Sequence, residues 1–541
     1  MASGAPGIRR SLSDIQNDYD NGDRAELENL MRAWMGIKAL PPADLQSFFV
    51  IGGYHGEPFG GQGATDPQWW GGYCQHGTVL FPTWHRGYLH RLEKALQSIP
   101  GCESVMLPFW DECSDDTLNN GIPWALTREH VELDGVIIEN PLRSFVLPEG
   151  LVDAVQGDNG LYTKPQGYET VRYPLSGLVG TTADQAATAA HNAKFPSYAA
   201  NVLTLDANIV AWLSWPIVIP QQAGSPLGPT VTVGLVQSKF VQSLDAPDYT
   251  RFSNTTSQRA WNNAHPANQV VALENPHNAI HLAVGGWDVP GYDFSPIDGA
   301  NGDMGENNTA ALDPIFYFHH CFIDYTLWIW QRRHGATDTF DIDPSDPGAV
   351  YALGGNNAPP NGADPNAPIT METPLTPFQN ADGSPMTTND VINIETQLGY
   401  TYGPGSLDQY AQPPGQSALA APAGGPVGGD ARTVHVAGLD RNKIHGSFVI
   451  AAYAEVGGEK RLVDVEPVLS RWNVAGCANC QNHLEATADF RLPAALIESG
   501  VEIQVHTRGG VIGNEGGPKH SAGFVESLAV GPPPPFTVEI R

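Results

Sequence analysis

The chain has 541 residues, too many for one hydrophobic core, so two or three domains are expected. It carries 28 basic and 58 acidic side chains, a formal net charge of -30. That charge repels phosphate backbones and anionic bilayers, so no nucleic acid and no membrane is expected as a partner.

No apolar run reaches the roughly 18 residues that a spanning helix needs. The N-terminus, Met1 to Arg10, lacks the apolar block of a secretory signal, which predicts a cytoplasmic or otherwise intracellular protein. Six cysteines are too sparse for a disulfide scaffold, and Cys102 and Cys113 would pair only in an oxidising compartment.

In chain order, Leu27, Leu30, Met31, Trp34 and Met35 share one face and predict an amphipathic helix over 24–38. A short helix is predicted from Ala43 to Val50, running into His55 between glycines. Pro82, Thr83 and Trp84 open a helix to about Gln97. From 114 to 245, Gly, Pro, Asn and Asp punctuate short apolar pieces, which predicts long loops over a helical core. A helix is predicted from Glu274 to Val284, stopped by Gly285 and Gly286. A glycine- and aspartate-rich loop covers 285–308, and a strongly apolar helix starts at Asp313-Pro314 and ends near His334.

Composition then shifts. Gly403 to Asp430 is rich in Pro, Gly, Ala and Gln and reads as a linker. From Thr433 onward short alternating β-branched segments separated by turn residues predict a β-sandwich. The expected organisation is a mainly α body over 1–402, a linker over 403–430 and a C-terminal β-sandwich over 431–541.

The chemistry sits in the histidines. His277 and His281, four apart, fall on one helix face and suit two ligands of one metal. His319 and His320 lie in an apolar helix, where an unpartnered imidazole costs about 1–3 kcal/mol. Neighbours on a helix point about 100° apart, so one of the pair is expected as a ligand and the other as a hydrogen-bonded core residue. His55, His76 and His85 make the other set, each near Gly, Pro or Trp, while His90 faces elsewhere. All-imidazole coordination favours Cu, Zn, Fe or Ni, and two sets of three without carboxylates argue for copper over zinc. A di-zinc hydrolase would need bridging carboxylates that these sets lack.

Five stretches together carry a resemblance: Cys74-Gln-His76-Gly, Phe81-Pro-Thr-Trp-His85-Arg, Pro276-His277-Asn-Ala-Ile-His281, Gly285-Gly286 and Asp313-Pro-Ile-Phe-Tyr-Phe-His319-His320. Over about residues 20–335 the chain resembles the type 3 copper proteins: tyrosinases, catechol oxidases and o-aminophenol oxidases. The resemblance implies a four-helix bundle holding two copper ions, with dioxygen as co-substrate. His55, His76 and His85 would hold one copper, and His277, His281 and His320 the other, leaving His319 as a neighbour. Cys74, two before His76, matches a cysteine that fungal members join to the histidine through a thioether. Glu274 and Asn278 match the residues thought to hold a water that deprotonates monophenols. Cys477 and Cys480 match a CxxC motif that long fungal forms carry on a capping domain and use in copper loading, which implies a latent proenzyme.

The implied reaction is oxidation of o-diphenols to o-quinones, with o-hydroxylation of monophenols as a further activity. Departures at Phe322 and Tyr325, where many members carry Asn and Arg, and a polar loop from Met304 to Ala310, keep an o-aminophenol oxidase in view; Cys321 is expected as a packed thiol. An oxygen carrier of the hemocyanin type is the non-enzymatic alternative. The implied partner is a small phenol or aminophenol, and assembly into a homo-oligomer is compatible with the chain.

Overall fold

The computed structural model describes residues 5–56, 72–152, 163–177, 182–220, 230–290, 302–351, 367–412, 431–471, 474, 484–508, 510–513, 518–519 and 536–541. The N-terminal body is helical. Its first half contains β1 (Gly7–Arg9), α1 (Leu12–Asp20), α2 (Ala25–Ala39), α3 (Phe48–Gly56), α4 (Phe81–Gln97) and α5 (Asp115–Asn120). A hairpin of β2 (His130–Leu133) and β3 (Val136–Glu139) is followed by α6 (Thr182–Asn192) and α7 (Tyr198–Ser214). A second hairpin, β4 (Pro216–Pro220) with β5 (Thr230–Gly234), leads to α8 (Leu235–Ser243), α9 (Tyr249–Ser253), α10 (Thr255–Ala264), α11 (Glu274–Gly285) and α12 (Ile315–His334). The body closes with the hairpin β6 (Pro374–Gln379) and β7 (Pro385–Thr387) and with β8 (Tyr400–Tyr402), which pairs in parallel with β1. No helix among the described residues is long and apolar enough to cross a membrane.

The helices form where the periodicity placed them, with instructive exceptions. Acids Glu26 and Glu28 start α2 and Lys38 ends it, matching the helix dipole, and Leu27, Leu30, Met31, Trp34 and Ile37 turn inward. In α12 nearly every side chain is buried, and Gly335, in the left-handed conformation, ends it by donating to the carbonyls of Arg332 and Gln331.

The helix expected over 43–50 lies instead at Phe48–Gly56 and carries His55 on it. Its glycines permit close approach: a Cβ on Gly52 would sit 2.9 Å from the Ala311 carbonyl oxygen, and one on Gly56 would sit 2.3 Å from that of Asn307. The loops expected over 114–245 include the two-hairpin and helical elements above, chief among them the 17-residue α7. Leu205, Asn208, Ile209, Trp212 and Leu213 form its inner face. Asn208 interrupts the apolar pattern because its Nδ2 donates to the carbonyls of Ala283 (2.8 Å) and Trp287 (2.9 Å), tying α7 to the end of α11.

A buried ionic knot joins the N-terminus, α4, α12 and β8. Asp324 accepts from Arg86 Nε (2.5 Å), Arg9 Nη1 (3.4 Å) and the hydroxyls of Tyr400 (2.5 Å) and Tyr402 (2.6 Å). Burial would raise the Asp324 carboxyl, but the two guanidiniums outweigh it and hold it below the usual range. Arg86 follows His85 and Asp324 lies one turn after His320, so the knot fixes both helices beside their histidines.

Residues past the composition shift at 403 continue to pack on the body. Leu407 and Tyr410 are buried, and Ser406 donates its Oγ to Asp111. Residues 413–430 lie outside the described residues, and the chain resumes in the C-terminal unit. There a three-stranded sheet, β12 (Glu485–Leu492), β9 (Arg432–Asp440) and β16 (Thr537–Ile540), faces a five-stranded one. The latter runs in the order β11 (Glu459–Val468), β10 (Phe448–Val456), β13 (Val501–Thr507), β14 (Gly510–Gly513) and β15 (Pro518–Lys519), and α13 (Ala494–Glu498) packs beside it. The fold is therefore a helical body with a separate β-sandwich, as its sequence pattern predicts.

Val434, Val436, Phe448, Ile450, Phe490, Ile503 and Val505 fill the space between the sheets. The opposite face of β10, with Val449, Ala451 and Tyr453, belongs to the core of the helical body. Buried on both faces, β10 is a continuous apolar run rather than an alternating one. Polar ties flank this apolar contact. Asn275 Nδ2 donates to Glu466 Oε2 (2.6 Å), and Lys239 Nζ donates to the Val465 carbonyl (2.6 Å).

Burial pushes the Glu466 carboxyl up to about 7, opposed by the Lys239 ammonium. The folded form thus keeps a proton that an unfolded carboxyl releases near pH ~4.3, so this group's contribution to stability falls as pH rises from there through about 7. Glu466→Gln keeps an acceptor for Asn275 and removes that term. The fall in melting temperature between about pH 5 and about pH 8 is expected to be shallower in the variant. Superimposable pH profiles would assign the effect elsewhere.

Candidate metal centre

Among the described residues two groups of imidazoles have ligand atoms within 4.8 Å of one another: His55, His76 and His85, and His277, His281, His319 and His320. Helix α3 brings His55, the segment before α4 brings His76, and α4 brings His85. Helix α11 brings His277 and His281, one turn apart, and α12 brings the adjacent pair.

The two groups meet. The His85 and His320 rings stack at 4.4 Å and 17°, and the His76 and His277 centroids are 5.4 Å apart. His277 Nε2 and His281 Nε2 each lie 3.2 Å from His320 Nε2. His90 is half-buried and belongs to neither group.

Four of these rings are pinned at Nδ1 by an oxygen. His55 faces the Asn307 carbonyl (3.0 Å), His85 the Phe81 carbonyl (2.8 Å), His281 the Met304 carbonyl (2.8 Å) and His277 the Asn278 amide oxygen (3.0 Å). A carbonyl oxygen can only accept, so Nδ1 carries the proton and Nε2 keeps its lone pair. The Nε2 atoms of His55, His76 and His85 are buried and have no hydrogen-bond partner.

Burial, reinforced by neighbouring imidazoles, drives all the rings toward the neutral form. His85 falls to about 3 and His281 to about 4, and His55, His76, His277, His319 and His320 fall well below the ordinary value. Neutral, oriented, unpartnered nitrogens in an apolar core fit a soft or borderline cation, and orphaned buried acceptors have no other evident use.

The polar loop from Met304 to Ala310 supports the site from behind. Met304 holds His281 and Asn307 holds His55, so one short segment braces a ring from each group. The polar side chains of this loop are used internally. Asn307 Nδ2 donates to Cys74 Sγ (3.5 Å), and Glu306 pairs with Arg508 of the sandwich. Burial pushes the Cys74 thiol up to about 11. Cys102 and Cys113 are separate buried thiols, and Cys321 packs against the Leu107 carbonyl. Cys477 and Cys480 lie outside the described residues.

Glu274 is buried at the start of α11, one turn from Asn278. Its Oε1 accepts from the Gly77 N–H (2.8 Å), next to His76, and its Oε2 from the Thr255 N–H (2.9 Å) and Oγ1 (3.0 Å). Burial raises its carboxyl, while these donors and the nearby Arg441 favour the charged form. A polar cavity of about 40 Å³ adjoins it, lined by Thr255, Asn278, Arg441 and Glu466 among others.

Sequence reasoning missed Glu112, whose Oε1 lies 2.5 Å from His319 Nδ1 with both side chains fully buried. Its one signal was its place as the second of two acids, Asp111 and Glu112, after the apolar run Leu107-Pro-Phe-Trp.

Residues 45–333 match the family model described as the common central domain of tyrosinase, just over half of the chain. The chain belongs to the tyrosinase family. It is 50% identical over 508 residues to tyrosinase HcTyr2 of a Hahella species, covering 90% of this chain and 88% of that one. It is 38% identical over 536 residues to a tyrosinase of Aspergillus oryzae, covering 93% of each. A solved tyrosinase from Burkholderia thailandensis, at low pH, superposes with a TM-score of 0.78 at 48% identity, over 93% of this chain and 94% of that chain. The family consists of copper oxidoreductases, and the neutral imidazole clusters fit that metal.

Helix α11 reaches the Met304 loop through Gly285, where a Cβ would fall 1.7 Å from the Gly305 nitrogen. Backbone meets backbone, so neither side can yield cheaply. Gly285→Ala is expected to displace the Met304 carbonyl from His281, lower stability by about 1–3 kcal/mol in urea unfolding, and reduce copper retained after dialysis. Unchanged copper retention would show that the loop does not set the His281 ring.

Proposed function

We propose that the chain is a dicopper oxidase of phenols, made in a latent form. His55, His76 and His85 would hold one copper, and His277, His281 and His320 the other. The observation that carries this reading is the convergence of six uncharged imidazoles, largely buried, from five segments, with the Nε2 atoms of His55, His76 and His85 unpartnered. Bound copper supplies the redox chemistry that takes two electrons from an o-diphenol and passes them to dioxygen. Two diphenols per O2 balance the reaction, giving two o-quinones and two waters. The protein's part is to keep the rings neutral, aim their nitrogens and exclude bulk water.

Monophenols require removal of a phenolic proton, whose ordinary pKa is about 10. Glu274 is the base this reading assigns, through a water held with Asn278. Its Oε1 accepts one bond, from Gly77, and so keeps a second lone pair for that water. A carboxyl raised by burial is also a better base near neutrality. The same carboxylate ties the His76 loop to α11, so its loss has a structural component that a stability measurement separates. Glu274→Gln is expected to slow oxygen uptake with monophenols at least about tenfold more than with o-diphenols. Equal losses on both substrates would remove its special role.

Latency rests on how the sandwich sits. Ser447 Oγ donates to the Gly305 carbonyl (3.1 Å), Arg471 Nη1 donates to the Gly56 carbonyl beside His55 (3.3 Å), and Arg508 holds Glu306. These contacts cover the loops that flank both groups. In this reading Cys74 is joined to His76 by a thioether, which would lock that ring, and Cys477 and Cys480 assist copper loading. Limited proteolysis within 413–430 is expected to raise diphenol turnover of the copper-loaded protein. Unchanged turnover in the fully clipped sample would reject latency. Activity on o-aminophenols alone would indicate an o-aminophenol oxidase, and reversible oxygen binding without turnover would indicate a carrier.

A further inference from the structure

A second cavity lies where the sandwich meets the body. It has a volume of about 430 Å³ and is bounded by α8, α10 and α11 on one side and by β11, β12 and α13 on the other. That is a size that small-molecule sites commonly have. Its walls are mixed: Leu235, Val463, Leu492 and Leu496 supply apolar surface, and Trp261 supplies an aromatic one.

The acids around it are already engaged. Asp464 pairs with Lys239 Nζ (3.0 Å), Asp489 Oδ1 lies 2.7 Å from His435 Nδ1, and Asp245 pairs with Arg333. Glu466 accepts from Asn275 Nδ2 (2.6 Å). Arg491 is the exception among the charged groups. Its Nε is buried without a hydrogen-bond partner, and it forms no ion pair among the described residues. Burial lowers its guanidinium, and no carboxylate acts against that effect. With 58 acidic side chains against 28 basic ones, a cation left single at an internal wall is a ready anchor for an incoming carboxylate.

The body side leaves a second polar atom bare. Asn275 lines the cavity and is 1% exposed, and its Oδ1 is buried with no hydrogen-bond partner. An orphaned acceptor of this kind calls for a donor. A hydroxyl suits it in either orientation of the amide, because a hydroxyl both donates and accepts.

We infer that this cavity binds a small hydroxyaryl carboxylate, with the carboxylate on Arg491, the ring among the apolar walls and the hydroxyl on Asn275. Such a ligand touches both units at once. None of the histidines of the metal centre lines the cavity, and binding there needs no copper, so the inference goes beyond the oxidase reading and does not depend on it. Binding is non-covalent and transfers no electrons.

The test is isothermal titration of metal-free, full-length protein with para-hydroxyphenylpropionate. Phenylpropionate, which lacks the hydroxyl, and para-ethylphenol, which lacks the carboxylate, are titrated beside it. One equivalent of the first is expected to bind, and each truncated compound about tenfold more weakly. Arg491→Met is expected to weaken binding about tenfold and to erase the preference for the carboxylate. Ser238→Trp, at a half-buried position of the wall, is expected to abolish binding by filling the cavity, with circular dichroism unchanged in both variants. Absence of binding at about 5 mM ligand, weaker than any specific site of this size, would overturn the inference and leave the cavity to water. Equal affinities for the three compounds, or unchanged affinity in the folded variants, would place the ligand elsewhere and overturn it too. Copper content and diphenol turnover of the loaded protein judge the oxidase reading separately.

Discussion

The centre depends on keeping six imidazoles uncharged and turned the right way inside an apolar core. Burial alone achieves the first condition, because a cationic ring would lose its hydration without a compensating partner. It does not achieve the second, since a neutral imidazole has two tautomers and a free ring axis. Oxygens behind the rings decide that. Carbonyls of Phe81, Met304 and Asn307 and the Asn278 amide each take one nitrogen of four of the rings, which leaves the other facing inward. Most of these oxygens belong to backbone, so the orientation is written into chain path more than into side-chain identity.

That explains what could be read from the sequence. Histidine spacing, the apolar helix after Asp313 and the alternation after Thr433 gave the helical body, its metal-binding segments and the sandwich. Oxygens contributed by main chain have no residue type, and so the supporting roles of Met304, Phe81 and Asn307 left no trace in the pattern. Asn208 illustrates the opposite failure. A polar residue on an inner helix face reads as a break, whereas in three dimensions it satisfies two carbonyls at the end of α11. Glu112 was invisible for a related reason: its partner lies 207 positions away.

The sandwich is bound to the body by two kinds of contact that respond differently to solvent. The apolar face of β10 merges with the helical core and anchors the unit broadly. The polar ties from Asn275, Lys239, Arg471 and Arg508 are local and directional. They reach α8, α11, the end of α3 and the loop after Met304, and further ties join Arg259 to Glu485 and Gln269 to Thr433. A unit attached in this way can be displaced at its polar rim without dissolving its own core, which the two facing sheets keep separate.

The four-residue step from Met304 to Asn307 has a geometric corollary. Each end of it supports a ring from a different half of the centre, so its span acts as a fixed ruler between them. Adding or deleting a single residue there would shift one half relative to the other by roughly the 3.8 Å between neighbouring Cα atoms, comparable to the separation of the nitrogens themselves. The length of this step is therefore set by the distance between the two rings it braces.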